Sequence, residues 1–213
     1  MTDRPIPFSA PMVRAILREI EQPGTGKTQT RRILKPQPLP VGGAIYRPYP
    51  LTRPNEWHSV NAAGRIVNIQ KIHAPGDRLW VREAWRTGRA YDDLSPSEMS
   101  GEEPIQYEAG PANQPRRHGR YRHARFMPRW ASRITLIVEE VHVERLNDIS
   151  EEDAIAEGAF RGKFSGRFAD DYVTMAVAGR WFATARGWYA DLWNRLHGPG
   201  SWEANPWVAV YGF

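Results

Sequence analysis

The chain has 213 residues with 41% hydrophobic and 25% charged, enough for one domain with a sizeable core, and we read it as a compact domain carrying long insertions. Its nine Trp promise that core and its eighteen Pro promise irregular connections, while a net charge of +5 suits a polyanionic partner without requiring one. The absence of cysteine excludes disulfides and thiolate zinc sites; with no leader pattern in Met1 to Pro11 and no long apolar run, a cytoplasmic protein without a membrane partner is expected.

Ile6 to Met12 reads as a short strand, and Val13 to Ile20 carries apolar residues at helical spacing through Ile16, Leu17 and Ile20. Pro23 and Gly24 stop that helix. A loop from Gly24 to Arg32 follows, before Ile33 and Leu34 begin a strand. Insertions are expected at about 36–74, 88–126 and 160–180, the first with a hairpin arm at Arg65 to Ile72 and the second with a strand at Ile105 to Glu108. Between them, Gly76-Asp77 marks a turn and Arg78 to Arg82 alternates as a strand.

Ile134 to Val143 is the clearest strand, with Ile134, Leu136 and Val138 on one face and a bulge at Glu139-Glu140. Ser150-Glu151-Glu152-Asp153 has the layout of a capping box, with Ile149 placed to staple against Ala154, so a helix over 151–158 ends at Gly158. Trp181, Phe182, Ala185, Trp188, Tyr189, Leu192, Trp193 and Leu196 share one helical stripe, closed by Gly198 and Pro199, and the last strand is Trp207 to Phe213. Strands outnumber helices without alternating with them, which points to an α+β protein built on a mixed barrel.

Several motifs carry a chemical and a bland reading. Gly26-Lys27-Thr28 invites a phosphate loop, but Glu21 stands where that motif needs its first Gly, and a helix precedes it instead of a strand. The six His show no paired ligand spacing, so no metal is expected, and His142 reads as a polar-face strand residue. The stripe of residues 181–196 reads as core before it reads as a base-stacking platform. Trp80, Trp85 and Trp130 flank the insertions, where one of them is a candidate pocket wall. The basic run Arg116, Arg117, Arg120, Arg122 and Arg125, with Tyr121 among them, reads either as an RNA-contacting arm or as a solvated hairpin tip. Lys27 and Thr30 lie three apart on a Gly-rich loop that can wrap them onto one point; alone they read as surface residues, and Glu157 as a solvated helix residue.

Taken together, Gly26 to Arg32, Pro75 to Glu83 and Asp148 to Ala154 resemble the ordered signatures of ASCH domains, and Met127 to Arg133 with Asn205 to Val208 resemble the longer, phage-associated branch of that family. The resemblance covers residues 6–35, 75–87, 127–159 and 181–213 and leaves the insertions unexplained. It implies a single PUA-like β-barrel domain with flanking helices and a cleft for a nucleoside or an RNA segment. A short bacterial member is similar to an amidohydrolase acting on N(4)-acetylcytidine through a Lys, a Thr three residues on, and a Glu in a later helix. These correspond to Lys27, Thr30 and Glu157.

The resemblance thus implies a cofactor-free amidohydrolase whose partner is a small-molecule nucleoside, with RNA held by segment 116–125 as the alternative. Arg31, Arg32, Glu83, Trp85, Arg129, Trp130 and Arg133 are the expected substrate-binding residues, Glu83 and Trp85 being departures from the short enzyme. Lys27, held neutral by a dry pocket and by Arg31 and Arg32, accepts the Thr30 proton, Thr30 attacks, Glu157 orients Lys27 or protonates the departing amine, and loop N–H groups hold the oxyanion. An alternative leaves Lys27 and Thr30 to polarise the carbonyl while Glu157 activates water.

Overall fold

The computed structural model describes residues 3–38, 49–50, 56–60, 66–111, 119–160 and 182–213. Residues 161–180 of the expected insertion and Trp181 of the aromatic stripe lie outside the described residues.

Strand β1 (Asp3–Pro7) comes earlier than the sequence suggests, because Ser9 is already the extended N-cap of helix α1 (Ala10–Glu21), with Pro11 in its first turn. The helix turns Met12, Val13, Ala15 and Ile16 inward and leaves Ile20 63% exposed, so Ile20 is not part of the buried face. Strand β2 (Gln29–Ile33) also starts early. Residues 30–32, expected in a loop, are therefore strand residues with fixed directions.

The first expected insertion holds a small antiparallel meander of β3 (Tyr49–Pro50), β4 (Glu56–Val60) and β5 (Ile66–Lys71), the last matching the expected hairpin arm. Strand β6 (Arg78–Arg82) follows the Gly76-Asp77 turn. It pairs parallel with β1 and antiparallel with β9 (Thr135–Ile137). A short pair, β7 (Trp85–Arg86) with β8 (Gln106–Tyr107), opens the second insertion. Strand β10 (Glu140–Arg145) pairs with β11 (Trp207–Gly212), which pairs with β2.

The bulge expected at residues 139–140 turns out to be a change of sheet. Val138 N–H donates to the Asp77 carbonyl on the β6 side, and Glu139 N–H donates to the Gly212 carbonyl on the β11 side, both at 2.9 Å. Strands that bend at such a corner join two sheets around one core. The chain is thus of mixed α+β class; among the described residues its ladders form small sheets that do not close into a barrel.

Helix α2 (Glu151–Ala156) begins with the expected capping box between Ser150 and Asp153. The Glu151 carboxylate caps the next helix, α3 (Ala185–His197), by accepting from the Ala185 and Arg186 N–H groups at 2.5 and 3.1 Å. Along α3 the inward residues are Ala185, Trp188, Tyr189, Leu192 and Trp193, while Leu196 is 55% exposed.

Two cores result. The larger joins Val13, Ile16, Leu79, Val81, Leu136, Val143, Trp188 and Val208; the smaller joins Trp85, Met99, Met127 and Ala131, with Tyr91, Leu94, Ile105 and Tyr107 against it. The second insertion therefore carries its own packing. Arg120 and Arg122 of the basic run serve that packing: Arg122, 4% exposed, donates to the Tyr91 and Leu94 carbonyls at 2.7 and 3.0 Å, and Arg120 donates to Leu94 at 3.0 Å. Residues 119–125 are a clamped strap, in which Arg122 is buried and Arg120, exposed, gives one N–H to a backbone carbonyl. Arg116 and Arg117 lie outside the described residues. No helix among the described residues is long and apolar enough to cross a membrane.

Candidate functional site

Close packing of a glycine loop between two helices brings Lys27 inside. A Cβ on Gly26 would lie 2.3 Å from the Ala15 carbonyl oxygen of α1, so only glycine permits the approach. Lys27 N–H donates to that carbonyl at 3.0 Å, and Thr28 N–H donates to the Ala156 carbonyl of α2 at 2.9 Å. On the other side Gly158 ends α2 with φ +106°, where a Cβ would stand 3.0 Å from Ala15 Cβ and 3.3 Å from Lys27 Cβ. The lysine stem is thereby enclosed and the residue is 2% exposed.

These hydrogen bonds correct one expectation. The loop N–H groups of Gly24 and Gly26 each donate to the Glu19 carboxylate at 2.7 Å. With the Lys27 and Thr28 N–H groups also taken, the loop holds neither a phosphate nor an oxyanion.

At the end of its stem, Lys27 Nζ donates to Glu157 Oε2 at 2.5 Å and to the Glu157 carbonyl at 2.9 Å. Glu157 is the C-cap of α2, 2% exposed, so the helix that begins at the Ser150–Asp153 capping box carries it. Arg31 reaches it from β2, donating Nη1 to Glu157 Oε1 at 3.1 Å and Nε to Glu144 Oε1 at 2.8 Å, while its Nη2 lies 3.3 Å from Asp153 Oδ2. Burial opposes the charge of Arg31, but Glu157 and then Glu144 outweigh it and raise its pKa. For Lys27 the balance runs the other way. Burial holds its ammonium below the ordinary lysine range, against the pull of Glu157, and Arg32 and Arg31 add to the lowering. Burial, then the charge of Glu157 and a hydrogen bond to it, push the Tyr189 phenol far above its usual value.

Thr30, 4% exposed, lines a cavity of about 670 Å³ together with Arg31, Arg32, Glu157, Phe8 and Tyr189. The Phe8 ring roofs the cations, with Lys27 Nζ 5.7 Å and Arg32 Cζ 4.8 Å from its centroid. Arg32 donates Nη2 to the Pro7 carbonyl at 2.7 Å, and its buried Nε–H has no partner.

Five of the ten expected site residues therefore converge: Lys27, Thr30, Glu157, Arg31 and Arg32. The other five do not join them. Glu83 and Arg133 form a two-pronged ion pair at 2.8 and 3.0 Å beside the second core, where Trp85 is fully buried. Trp130 packs edge-on to Trp85 at 6.2 Å, and Arg129 pairs with Asp3 at the surface at 3.0 Å. Trp80 carries Arg82 and Arg129 over its ring, so none of the three flanking Trp lines the cavity.

Sequence reasoning missed Phe8, Glu108, His123 and His197, and it gave Tyr121 to an arm and Tyr189 and Trp193 to the core, yet all of them line the cavity. For α3 the signal existed. The stripe through Tyr189, Leu192, Trp193 and Leu196 continues at helical spacing to His197, so its inner part is core and its outer edge is wall. No group of three or more potential metal ligands occurs among the described residues.

Fold and site together define a mixed α+β protein in which a buried lysine–glutamate–arginine cluster borders an open cavity through Glu157 and Arg31. The chain matches no family model, no curated protein and no solved structure.

Proposed function

We propose that the cavity is the active site of an amidohydrolase that removes the acyl group from N(4)-acylated cytidine or a related nucleoside, carried on a PUA-like frame of the ASCH type. The observation that carries the reading is the setting of Lys27: a buried amine held twice by Glu157, which itself lines the cavity together with Thr30. A cavity of about 670 Å³ lies within the size range of small-molecule sites. The bend that joins two sheets through residues 138–139 is compatible with a distorted barrel.

The hydrogen-bond inventory favours one of the two expected routes. A neutral lysine has two N–H donors and one lone pair. The two donors match the two Glu157 acceptors, and on this reading the lone pair of the neutral amine accepts the Thr30 hydroxyl proton. Thr30 Oγ1 then attacks the acyl carbonyl carbon. The tetrahedral adduct collapses by breaking the C–N bond, the Lys27 ammonium returns its proton to the departing nitrogen, and water hydrolyses the threonine ester with Lys27 again as base. Glu157 is committed to holding Lys27 and Arg31, so it acts as a positioning residue and the water route is set aside. With the loop N–H groups taken, the unpartnered Arg32 Nε–H is the donor for the oxyanion.

The test is turnover of N(4)-acetylcytidine by the purified protein. Lys27→Ala, Thr30→Ala and Glu157→Gln are each expected to lower kcat about a hundredfold or more. Unchanged kcat in all three variants removes the assignment.

A further inference from the structure

The cavity changes character from floor to rim. Thr30, Arg31, Glu157 and Tyr189 are buried, whereas Tyr121, His123, Leu196 and His197 line the same cavity and remain exposed. Two elements supply that rim. Tyr121 and His123 come from the strap over residues 119–126, and Leu196 and His197 come from the last turn of α3.

Both sides are held in place before anything binds. Arg86 lies 5.5 Å from the centroid of the Tyr121 ring, and is itself fixed by the Glu108 carboxylate and by the Gly119 carbonyl at 3.0 Å. A Cβ on Gly119 would lie 2.2 Å from the Thr87 carbonyl oxygen, so the strap rides directly on the chain beyond β7. Two backbone hydrogen bonds between Arg122 and Trp85, at 3.0 and 2.9 Å, pin the residue between Tyr121 and His123. On the α3 side of the same cavity, the His197 ring sits 4.2 Å from the Trp193 ring at 38°. Exposed rings braced this way present a preorganised surface whose conformational entropy is already lost.

Chemistry also distinguishes the two histidines. His123 Nδ1 accepts the Arg125 N–H at 3.2 Å, which in the neutral ring places the proton on Nε2 and makes that nitrogen a donor. Partial burial, and then Arg32 and Lys35, lower the His197 pKa, which favours the uncharged ring for stacking.

We propose that Tyr121 and His197 form an aromatic slot that grips the planar base of the substrate, while the His123 Nε2–H reads a ring carbonyl, so that the strap determines which base is accepted. The inference rests on the nucleoside reading above and adds to it the residues that choose among nucleosides.

Isothermal titration with cytidine, which bears the base without a cleavable acyl group, separates binding from chemistry. Tyr121→Ala and His197→Ala are each expected to weaken cytidine binding about tenfold, as loss of an aromatic partner does, and Tyr121→Phe to retain it. His123→Ala is expected to narrow the preference for cytidine over adenosine, whose base has no ring carbonyl. If an alanine variant does not fold, intermolecular NOEs from cytidine H5 and H6 to the Tyr121 and His197 rings of the wild type decide the matter. Equal affinity in wild type and folded alanine variants, absence of those NOEs, or no nucleoside binding at all overturns the slot. Rim-dependent binding without turnover of N(4)-acetylcytidine upholds the slot and removes the hydrolase; turnover with a KM indifferent to the rim variants does the reverse.

Discussion

Glu157 and Glu83 are both buried carboxylates, 2% and 1% exposed, and both are answered by arginine. Glu83 meets one partner. Arg133 forks onto both of its oxygens, the guanidinium covers the Tyr107 ring at 4.1 Å, and the pair lies beside the second core away from the cavity. Glu157 is divided among Lys27, Arg31 and Tyr189, which come from a loop, a strand and a helix, and it lines the cavity. A closed fork satisfies its carboxylate and stops there. A shared carboxylate orients a second group, and in this chain that group is a buried amine.

The sharpest break of this comparison is to make the same change in both. Glu157→Gln is expected to lower kcat about a hundredfold or more, whereas Glu83→Gln leaves kcat within about threefold, with N(4)-acetylcytidine turnover as the readout. Equal losses would mean that burial alone, and not the cavity, governs the two positions. On stability Glu83 has the clearer effect. Removing one partner of a buried pair costs about 3 kcal/mol, the low end of its range because the Arg133 side chain keeps 28% exposure. Glu83→Ala is expected to show that loss in urea unfolding, and Arg133→Met in the same chain to recover most of it.

Lys27 supplies a pH test. Its pKa in the folded chain lies below the ordinary value of about 10.4, so the unfolded chain binds this proton more readily. The stability it contributes is fully present above the unfolded value and is lost as pH falls through the folded one. Between the two values the wild type is expected to gain stability with rising pH, by up to about 1.4 kcal/mol per pH unit, while Lys27→Met shows no such slope. The kcat/KM profile is expected to fall about tenfold per pH unit on the acid side of the same ionisation.

Where local chemistry fixes the outcome, the elements were legible. The Ser150 and Asp153 box starts α2 and Gly158 ends it, which bounds the helix that carries Glu157; the Gly76-Asp77 turn likewise sets β6. Where tertiary partners decide, they were not. Thr30, Arg31 and Arg32 look like loop residues, yet they belong to β2 because Glu144, Asp153 and Glu157 compensate a guanidinium inside the core. The strap over 119–125 shows no periodicity because backbone carbonyls of Tyr91 and Leu94 hold it through Arg122. Glu83, Trp85, Trp130 and Arg133 have the residue types of a substrate site, and only their mutual satisfaction shows them to be packing. Glu19 closing the glycine loop joins a helix end to a turn, a contact that spacing does not encode.

The smallest expected effect tests whether the cap and the site are separable. Ser150 Oγ accepts the Asp153 N–H at 3.0 Å, so Ser150→Ala removes one bond from the box and is expected to cost about 1 kcal/mol in chemical denaturation. Asp153 does not depend on that bond alone. Gln29 Nε2 donates to its Oδ1 at 2.8 Å and to its carbonyl at 2.9 Å, and Arg31 Nη2 lies 3.3 Å from its Oδ2. Those contacts tie the first turn of α2 to β2, the strand that carries Thr30 and Arg31, so Glu157 keeps its place when the serine hydroxyl is gone. Unaltered kcat with a lowered unfolding midpoint is the expected pair of results. A kcat that falls with stability would mean that the box, and not the strand, holds the carboxylate against Lys27.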